Sequence, residues 1–213
     1  MSEIERGGPH EYRYPDGAGT EATPGPTPSQ TAGPFFAYGL VPGAYGYAYR
    51  DIHPRSVEPE GLTGPPVTVE GSIFDGEGES IHDAMVEIVQ ADGTGRFAGP
   101  GRNDGFVGYA RCGTGPDGPA SAGGDTRFRF RTVKPAATAD GAPSITVAII
   151  MRGLLNHAVT RMYFPEDDHG DDPVLARVPE ARRETLVAEA IGAGRYRFDI
   201  HMQGPRETVF FDV

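Results

Sequence analysis

Residues 144–164 read SITVAIIMRGLLNHAVTRMYF, an apolar run with Arg152 and Gly153 set in its middle. As a single extended strand the run would reach about 70 Å at ~3.3 Å per residue, whereas a compact chain of this length has a radius of gyration of only about 17 Å. It must therefore double back. Gly153 and Asn156 tolerate the left-handed backbone of a tight connection and β-branched residues do not, so the reversal is predicted over 152–156. Two strands result, and Arg152 caps the first instead of interrupting it. A guanidinium buried at a strand end needs a carboxylate, from the protein or from a ligand, because leaving it unpaired is strongly destabilising.

Period-two alternation recurs on both sides of this run. In RFRFRTV, Phe128, Phe130 and Thr132 fall on one face and Arg127, Arg129 and Arg131 on the other; in RYRFDIHM, Tyr196, Phe198, Ile200 and Met202 fall inward. One face is buried and one solvated in each case. VTVEGSIFDGEGESIHDAMVEIVQADG, two apolar segments around the turn-rich DGEG, is predicted as a hairpin. ETVFFDV is predicted as the last strand. PVLARVPEARRETLVAEAI is predicted to hold a helical turn, with Pro179 at its first position, before a strand at Thr185 to Ala188. No segment supports a helix longer than about three turns, and there is no solenoid repeat. The fold class expected is all-β, a β-sandwich of about eight short strands with long loops and little helix.

Composition agrees. The chain has 31 glycines and 20 prolines in 213 residues, so a core must come from the patterned stretches between them, and 38% hydrophobic residues suffice for one. A formal net charge of -11 argues against nucleic acid or an anionic membrane as partner, because both need a basic surface. The single cysteine, Cys112, cannot form an internal disulfide. With no apolar signal-peptide core near the N-terminus, this points to a reducing compartment, and the expected location is cytoplasmic. Residues 1–26 are poor in aliphatics and are expected to form a flexible arm, followed by one domain over 27–213.

Candidate chemistry is sparse when read residue by residue. The six histidines, His10, His53, His82, His157, His169 and His201, form neither a His-Xaa-His nor a helical His-Glu-Xaa-Xaa-His, so each reads as a lone core or surface histidine. EDDHGDD (166–172) has carboxylates enough for a hard cation but not the spacing of a calcium loop, and reads as a solvated acidic loop. Cys112 in ARCGTG has no histidine nearby, there is no nucleophile elbow, and GTGRFAGPGRNDG lacks the strand and helix of a phosphate loop. Arg152 stands apart, although a structural ion pair is the commoner use of such a residue.

Several segments together, TPSQTAGPFFAYGL, GSIFDGEGESIHDAMVEIVQAD, FVGYARC, FRFRTVKP, RGLLNHAVTRMYFPED, RRETLVA and YRFDIHMQGPRETVFFDV, cover most of residues 27–213 and resemble the intradiol ring-cleavage dioxygenases. The first and fifth resemble the alpha-type chains of that family. The resemblance implies a β-sandwich paired with a homologous beta chain in an obligate hetero-oligomer. It also implies an Fe3+ held by the beta chain, and a small aromatic substrate, protocatechuate, opened by O2 to 3-carboxy-cis,cis-muconate. The family's iron is bound by two tyrosines and two histidines, the histidines as His-Xaa-His on one strand. Here Ser144 and Thr146 stand in those places, and no tyrosine follows VKP in VKPAATADG, so no metal ligand is expected in this chain. By the same resemblance Thr31, Gly33 and Pro34 would form part of the substrate-pocket wall. Arg152 would be the candidate catalytic residue, facing the substrate's carboxylate. The alternative is a stand-alone, inactive β-sandwich binding module derived from such an enzyme.

Overall fold

A computed structural model of the chain describes residues 27–33, 35–51, 53–54, 57, 61, 63–102, 104–115 and 127–212. The arm expected over 1–26 and the wall residue Pro34 lie outside the described residues. Among the described residues there are ten strands: β1 (Pro66–Gly71), β2 (Ile73–Phe74), β3 (Met85–Gln90), β4 (Tyr109–Gly113), β5 (Phe128–Val133), β6 (Ser144–Ile150), β7 (Ala158–Tyr163), β8 (Glu189–Gly192), β9 (Arg195–Arg197) and β10 (Ile200–His201). The α-helices described are α1 (Phe36–Leu40) and α2 (Glu180–Arg183), each about a turn long. No helix among them is long and apolar enough to cross a membrane.

Two four-stranded sheets, in the orders β5-β1-β9-β8 and β4-β3-β6-β7, are joined by a two-stranded β10-β2 pair. The opening run folds back as expected: β6 and β7 are antiparallel, from Ser144↔Tyr163 to Ile149↔Ala158, and the reversal holds Gly153 at φ 90°. That is left-handed backbone which only glycine adopts without strain. Ile145, Val147 and Ile149 of β6 meet Val67 and Val69 of β1, Phe128 and Phe130 of β5, and Tyr196 of β9 in one continuous core. This is the all-β sandwich, and Phe128, Phe130, Tyr196, Phe198 and Ile200, which the alternation pointed inward, are in its core, with Met202 only partly buried against it.

The arginines of β5 were expected on a solvated face. Two of that RFRFR set, Arg127 and Arg129, gather with Arg195 of β9 around Glu70 of β1, at 3.6, 3.2 and 3.4 Å. Glu70 is buried, so its charge requires such partners.

Three local expectations are corrected. First, β1 and β3 are not a hairpin, because they belong to opposite sheets. Only a small reversal forms at DGEG, where Asp75 accepts the backbone N–H groups of Glu77 and Glu79 at 2.9 Å. The chain leaves the first sheet at Gly71, where a Cβ would come within 2.0 Å of the Phe198 carbonyl oxygen. There the parallel β1–β9 pairing passes into β2–β10, with the Ser72 N–H donating to Asp199 at 2.9 Å.

Second, Thr185 to Ala188 is not a strand. Glu184–Leu186 is a 3-10 turn following α2, in which the Thr185 hydroxyl donates back to the Arg182 carbonyl at 2.8 Å and Leu186 is buried against Tyr163, Leu175 and Val178. The strand comes later, as β8, and Pro179 is the N-cap of α2.

Third, among the described residues of the C-terminal ETVFFDV only an isolated bridge forms, Val159↔Phe211. Hydroxyls take the backbone groups that a ladder would use: Thr160 donates to the Val209 carbonyl at 2.7 Å, and the Val209 N–H donates to Thr185 at 3.2 Å.

Candidate functional site

Strand β3 alternates Val86 and Ile88 into the inter-sheet core with Met85, Glu87 and Val89 on the outer face. Met85 is nevertheless buried, because Ala37 and Val41, from α1 and its C-cap, pack on it, with Tyr45 and Ile150 at the margin. The segment TAGPFFAYGL is thereby seated on the outer face of the second sheet, at the end where β6 turns into β7. That contact brings the loop carrying Thr31 to the turn carrying Arg152.

The Gly153 N–H donates to the Thr31 hydroxyl at 2.9 Å, a contact across 122 residues of chain. It ties the 31–33 loop to the turn that carries Arg152. Gly33 is exposed, and a Cβ built there meets nothing within 4 Å. The fold therefore does not require glycine at 33.

Arg152 is paired. Its Nε and Nη2 both lie 2.5 Å from Oδ2 of Asp83, with half of the arginine side chain exposed and the aspartate side chain 17% exposed. Strands β3 and β6 pair from Gln90↔Ile145 to Met85↔Ile150, and continuing that register by two residues places Asp83 opposite Arg152. The carboxylate demanded by a charge at this strand end is thus supplied by the protein. It takes one edge of the guanidinium fork, and the other edge can still hold a second carboxylate.

Sequence reading missed Asp83, though the pairing register would have located it. It also missed Tyr45, whose buried hydroxyl has no hydrogen-bond partner among the described residues. Burial, then the charges of Asp83 and of Tyr38, raise the Tyr45 hydroxyl above its ordinary pKa, and Arg152 pulls it down. Around this cluster Phe35, Tyr47, Tyr49 and Leu155 are large apolar side chains left exposed.

The strand expected to lack a metal site is β6. Ser144 and Thr146 alternate with core residues Ile145 and Val147 and so share the outer face. Thr146 lines a cleft of about 250 Å³ with Val159, Arg161, Arg177 and Phe211. Two neutral hydroxyls do not replace imidazoles as iron(III) ligands, so the donor set on this strand does not fit an iron centre. Among the described residues no three His, Cys, Asp or Glu side chains converge as a metal site.

The acidic loop at 166–172 is less solvated than expected. Glu166 and Asp167 both bind Lys134 at 2.8 Å, and Asp172 is buried, accepting the Tyr163 hydroxyl and the backbone N–H groups of Ala142, Val174 and Leu175, all at 2.9 Å. Glu166, Asp167 and Asp172 thus hold the loop against the sandwich.

No family model matches the chain. It is similar to the protocatechuate 3,4-dioxygenase alpha chain of Burkholderia cepacia, 48% identical over 198 residues, covering 88% of this chain and 97% of that one. The alpha chain of Pseudomonas putida is 37% identical over 200 residues, covering 87% and 96%. The beta chain of the Burkholderia cepacia enzyme is 29% identical over 179 residues, covering 74% and 73%. Among solved structures, the dioxygenase domain of a carbohydrate-binding fusion from Streptomyces sp. SirexAA-E superposes with a TM-score of 0.53 at 20% identity, covering 86% of this chain and 100% of that one. An intradiol ring-cleavage dioxygenase from Tetranychus urticae superposes with a TM-score of 0.56 at 14% identity, covering 75% and 90%. At those identities the superpositions speak for the fold alone.

Proposed function

The chain belongs to the family of protocatechuate 3,4-dioxygenase alpha chains, and on that premise we propose that it is the subunit that completes the substrate pocket of a hetero-oligomeric dioxygenase without holding the metal. It works with a homologous beta chain, which carries the iron, and the assembled enzyme opens the ring of protocatechuate with O2 between the two hydroxyl-bearing carbons. The reading places it in the cytoplasm, in keeping with a lone buried Cys112.

The observation that carries this reading is the convergence at one open end of the sandwich. Thr31 is hydrogen-bonded to the β6–β7 turn, and Arg152 of that turn is half exposed with one edge of its guanidinium unused by Asp83. Protocatechuate bears a carboxylate opposite its hydroxyls, and a guanidinium edge binds a carboxylate through two parallel hydrogen bonds. Held there, the substrate's reactive end points away from this chain, toward a metal in the partner. Gly33 supplies backbone to the wall and no reactive side chain. The chain's contribution is orientation and charge pairing.

Two measurements test this. The chain expressed alone should contain no iron and be colourless, whereas co-expression with its beta chain should give an iron-loaded, red-brown protein; colour in the isolated chain would refute the division of labour, and a chain that associates with no beta partner would favour the binding module. In the assembled enzyme Arg152→Ala should lower kcat/KM for protocatechuate. The lost pair is worth about 1.5 kcal/mol, at the low end because half the side chain is solvated, which is roughly tenfold. Catechol, which lacks the carboxylate, should be affected by less than about twofold; equal losses for the two substrates would make Arg152 purely structural.

A further inference from the structure

We infer that Asp83 is a positioning residue for substrate selection: it holds the Arg152 guanidinium by one edge so that the opposite edge is presented, pre-oriented, to the carboxylate of an aromatic acid. The inference rests on the reading of Arg152 given above and adds a residue that this reading does not contain.

An arginine on an exposed turn has several rotatable bonds, and most of its rotamers would point the fork into solvent. Here the antiparallel register of β3 and β6 puts a carboxylate directly across from it. Both contacts fall on the same oxygen, Oδ2, through Nε and Nη2 at 2.5 Å. That geometry occupies the Nε side of the guanidinium, nearest its own stem, and leaves the distal Nη1–Nη2 edge, which can also bind a carboxylate bidentately, uncommitted on a half-exposed side chain. Asp83 is itself largely enclosed, with a side chain 17% exposed, so it does not compete for solvent cations as a surface aspartate does.

The surroundings are rigid. Asp83 is followed by Ala84 and Met85, both fully buried, and the Ala84 N–H donates to the Thr114 hydroxyl at 3.1 Å. On the arginine's side the turn is pinned by the Gly153–Thr31 hydrogen bond. Tyr45 also packs against the buried cluster of Ala37, Val41 and Met85. Asp83 therefore acts as a fixed anchor and not as a tethered counter-ion. With its charge compensated, Arg152 recognises a carboxylate by geometry more than by net attraction, and small anions without the planar two-oxygen face gain little from it.

The test is steady-state kinetics of the assembled enzyme with protocatechuate and with catechol, for Asp83→Asn, Asp83→Glu, Arg152→Ala and the Asp83→Asn/Arg152→Ala double variant, with thermal midpoint and assembly state measured in parallel. Asp83→Asn should lower kcat/KM for protocatechuate by about tenfold, chiefly through KM, because misplacing a substrate-binding group costs productive geometry. Catechol should change by less than about twofold, and the effect should vanish in the Arg152→Ala background, since the two residues act as one unit. Asp83→Glu keeps the charge but shifts the anchor, and should fall between the wild type and Asp83→Asn. A lower KM for protocatechuate in Asp83→Asn would overturn the inference by making Asp83 a competitor for Arg152, as would an equal loss for both substrates or an effect additive with Arg152→Ala. If both Asp83 variants fail to assemble, its role is structural and the inference fails. Should Arg152→Ala itself lose both substrates equally, the underlying reading of Arg152 is what has failed, whatever Asp83→Asn does.

Discussion

Replacing Asp172 by asparagine should destabilise the chain more than any other single-atom change in its acidic loop. The carboxylate is 2% exposed and accepts four hydrogen bonds, three on Oδ1 from the Tyr163 hydroxyl and the Val174 and Leu175 N–H groups, and one on Oδ2 from the Ala142 N–H. Asparagine keeps the shape, and its remaining oxygen can satisfy the three donors. The amide nitrogen then faces the Ala142 N–H, donor against donor. The loss is one charge-assisted hydrogen bond plus a buried unpaired donor, about 3 kcal/mol in total. For a domain of this size each kcal/mol moves the thermal midpoint by about 2–4 °C, so a fall of about 6–12 °C is expected.

The pH dependence gives the same argument a second handle. Burial pushes the Asp172 carboxyl up, but the N–H groups of Leu175 and Ala142 and the Tyr163 hydroxyl outweigh it and hold its pKa below the ordinary carboxylate value. A group with a depressed folded pKa contributes stability that is present above its unfolded pKa of about 3.9 and is lost as pH falls through the folded value. The gap between wild type and Asp172→Asn should accordingly be full at pH 6–7 and narrow below about pH 4. Thermal unfolding followed by circular dichroism from pH 7 to 3 reads both effects. A midpoint shift under about 2 °C, or a gap that stays constant as the pH falls through the carboxylate range, would refute the reasoning.

Gly33→Ala should leave the thermal midpoint within about 1 °C of wild type, because its Cβ meets nothing and its backbone is not left-handed; a loss of dioxygenase activity at unchanged stability would then mark position 33 as pocket wall, while unchanged activity would remove it. Phe130→Ala, at a fully buried position between the sheets, should cost about 3–5 kcal/mol by denaturant titration, and a cost under about 1 kcal/mol would mean that the core is not packed as described.

How far the sequence could be read varied with the range of the interaction. Alternation of period two is local, and the inward residues it gave in β5 and β9, Phe128, Phe130 and Tyr196, are core residues. The reversal near Gly153 was legible because chain length and glycine's backbone freedom both act within a few residues. The β1–β3 hairpin was misread because DGEG does form a reversal; whether the next strand pairs across it or crosses to the other sheet depends on the close approach at Gly71 and on the β9–β10 segment, more than 100 residues away in the chain. The C-terminal ETVFFDV was misread as a strand because hydroxyls of Thr160 and Thr185, remote in sequence, take the backbone groups of Val209, leaving Phe211 with an isolated bridge. At the site, Thr31 and Gly33 were named from resemblance alone and Arg152 first from its charge at a strand end, and no local pattern joined Arg152 to Asp83.

By itself the sequence determined the class of fold, the strands that face the core, and the absence of a His-Xaa-His at Ser144–Thr146, because side-chain chemistry and short-range periodicity are written residue by residue. Only the tertiary structure decided that Arg152 already has a carboxylate partner. Asp83 lies 69 residues upstream of Arg152 and meets it solely because β3 and β6 pair in one register, with the segment carrying Thr31 folded over the same end. A slip of one residue in that register would turn Asp83 to the other face and leave the charge at the strand end unpaired, since side chains alternate faces at every step along a strand.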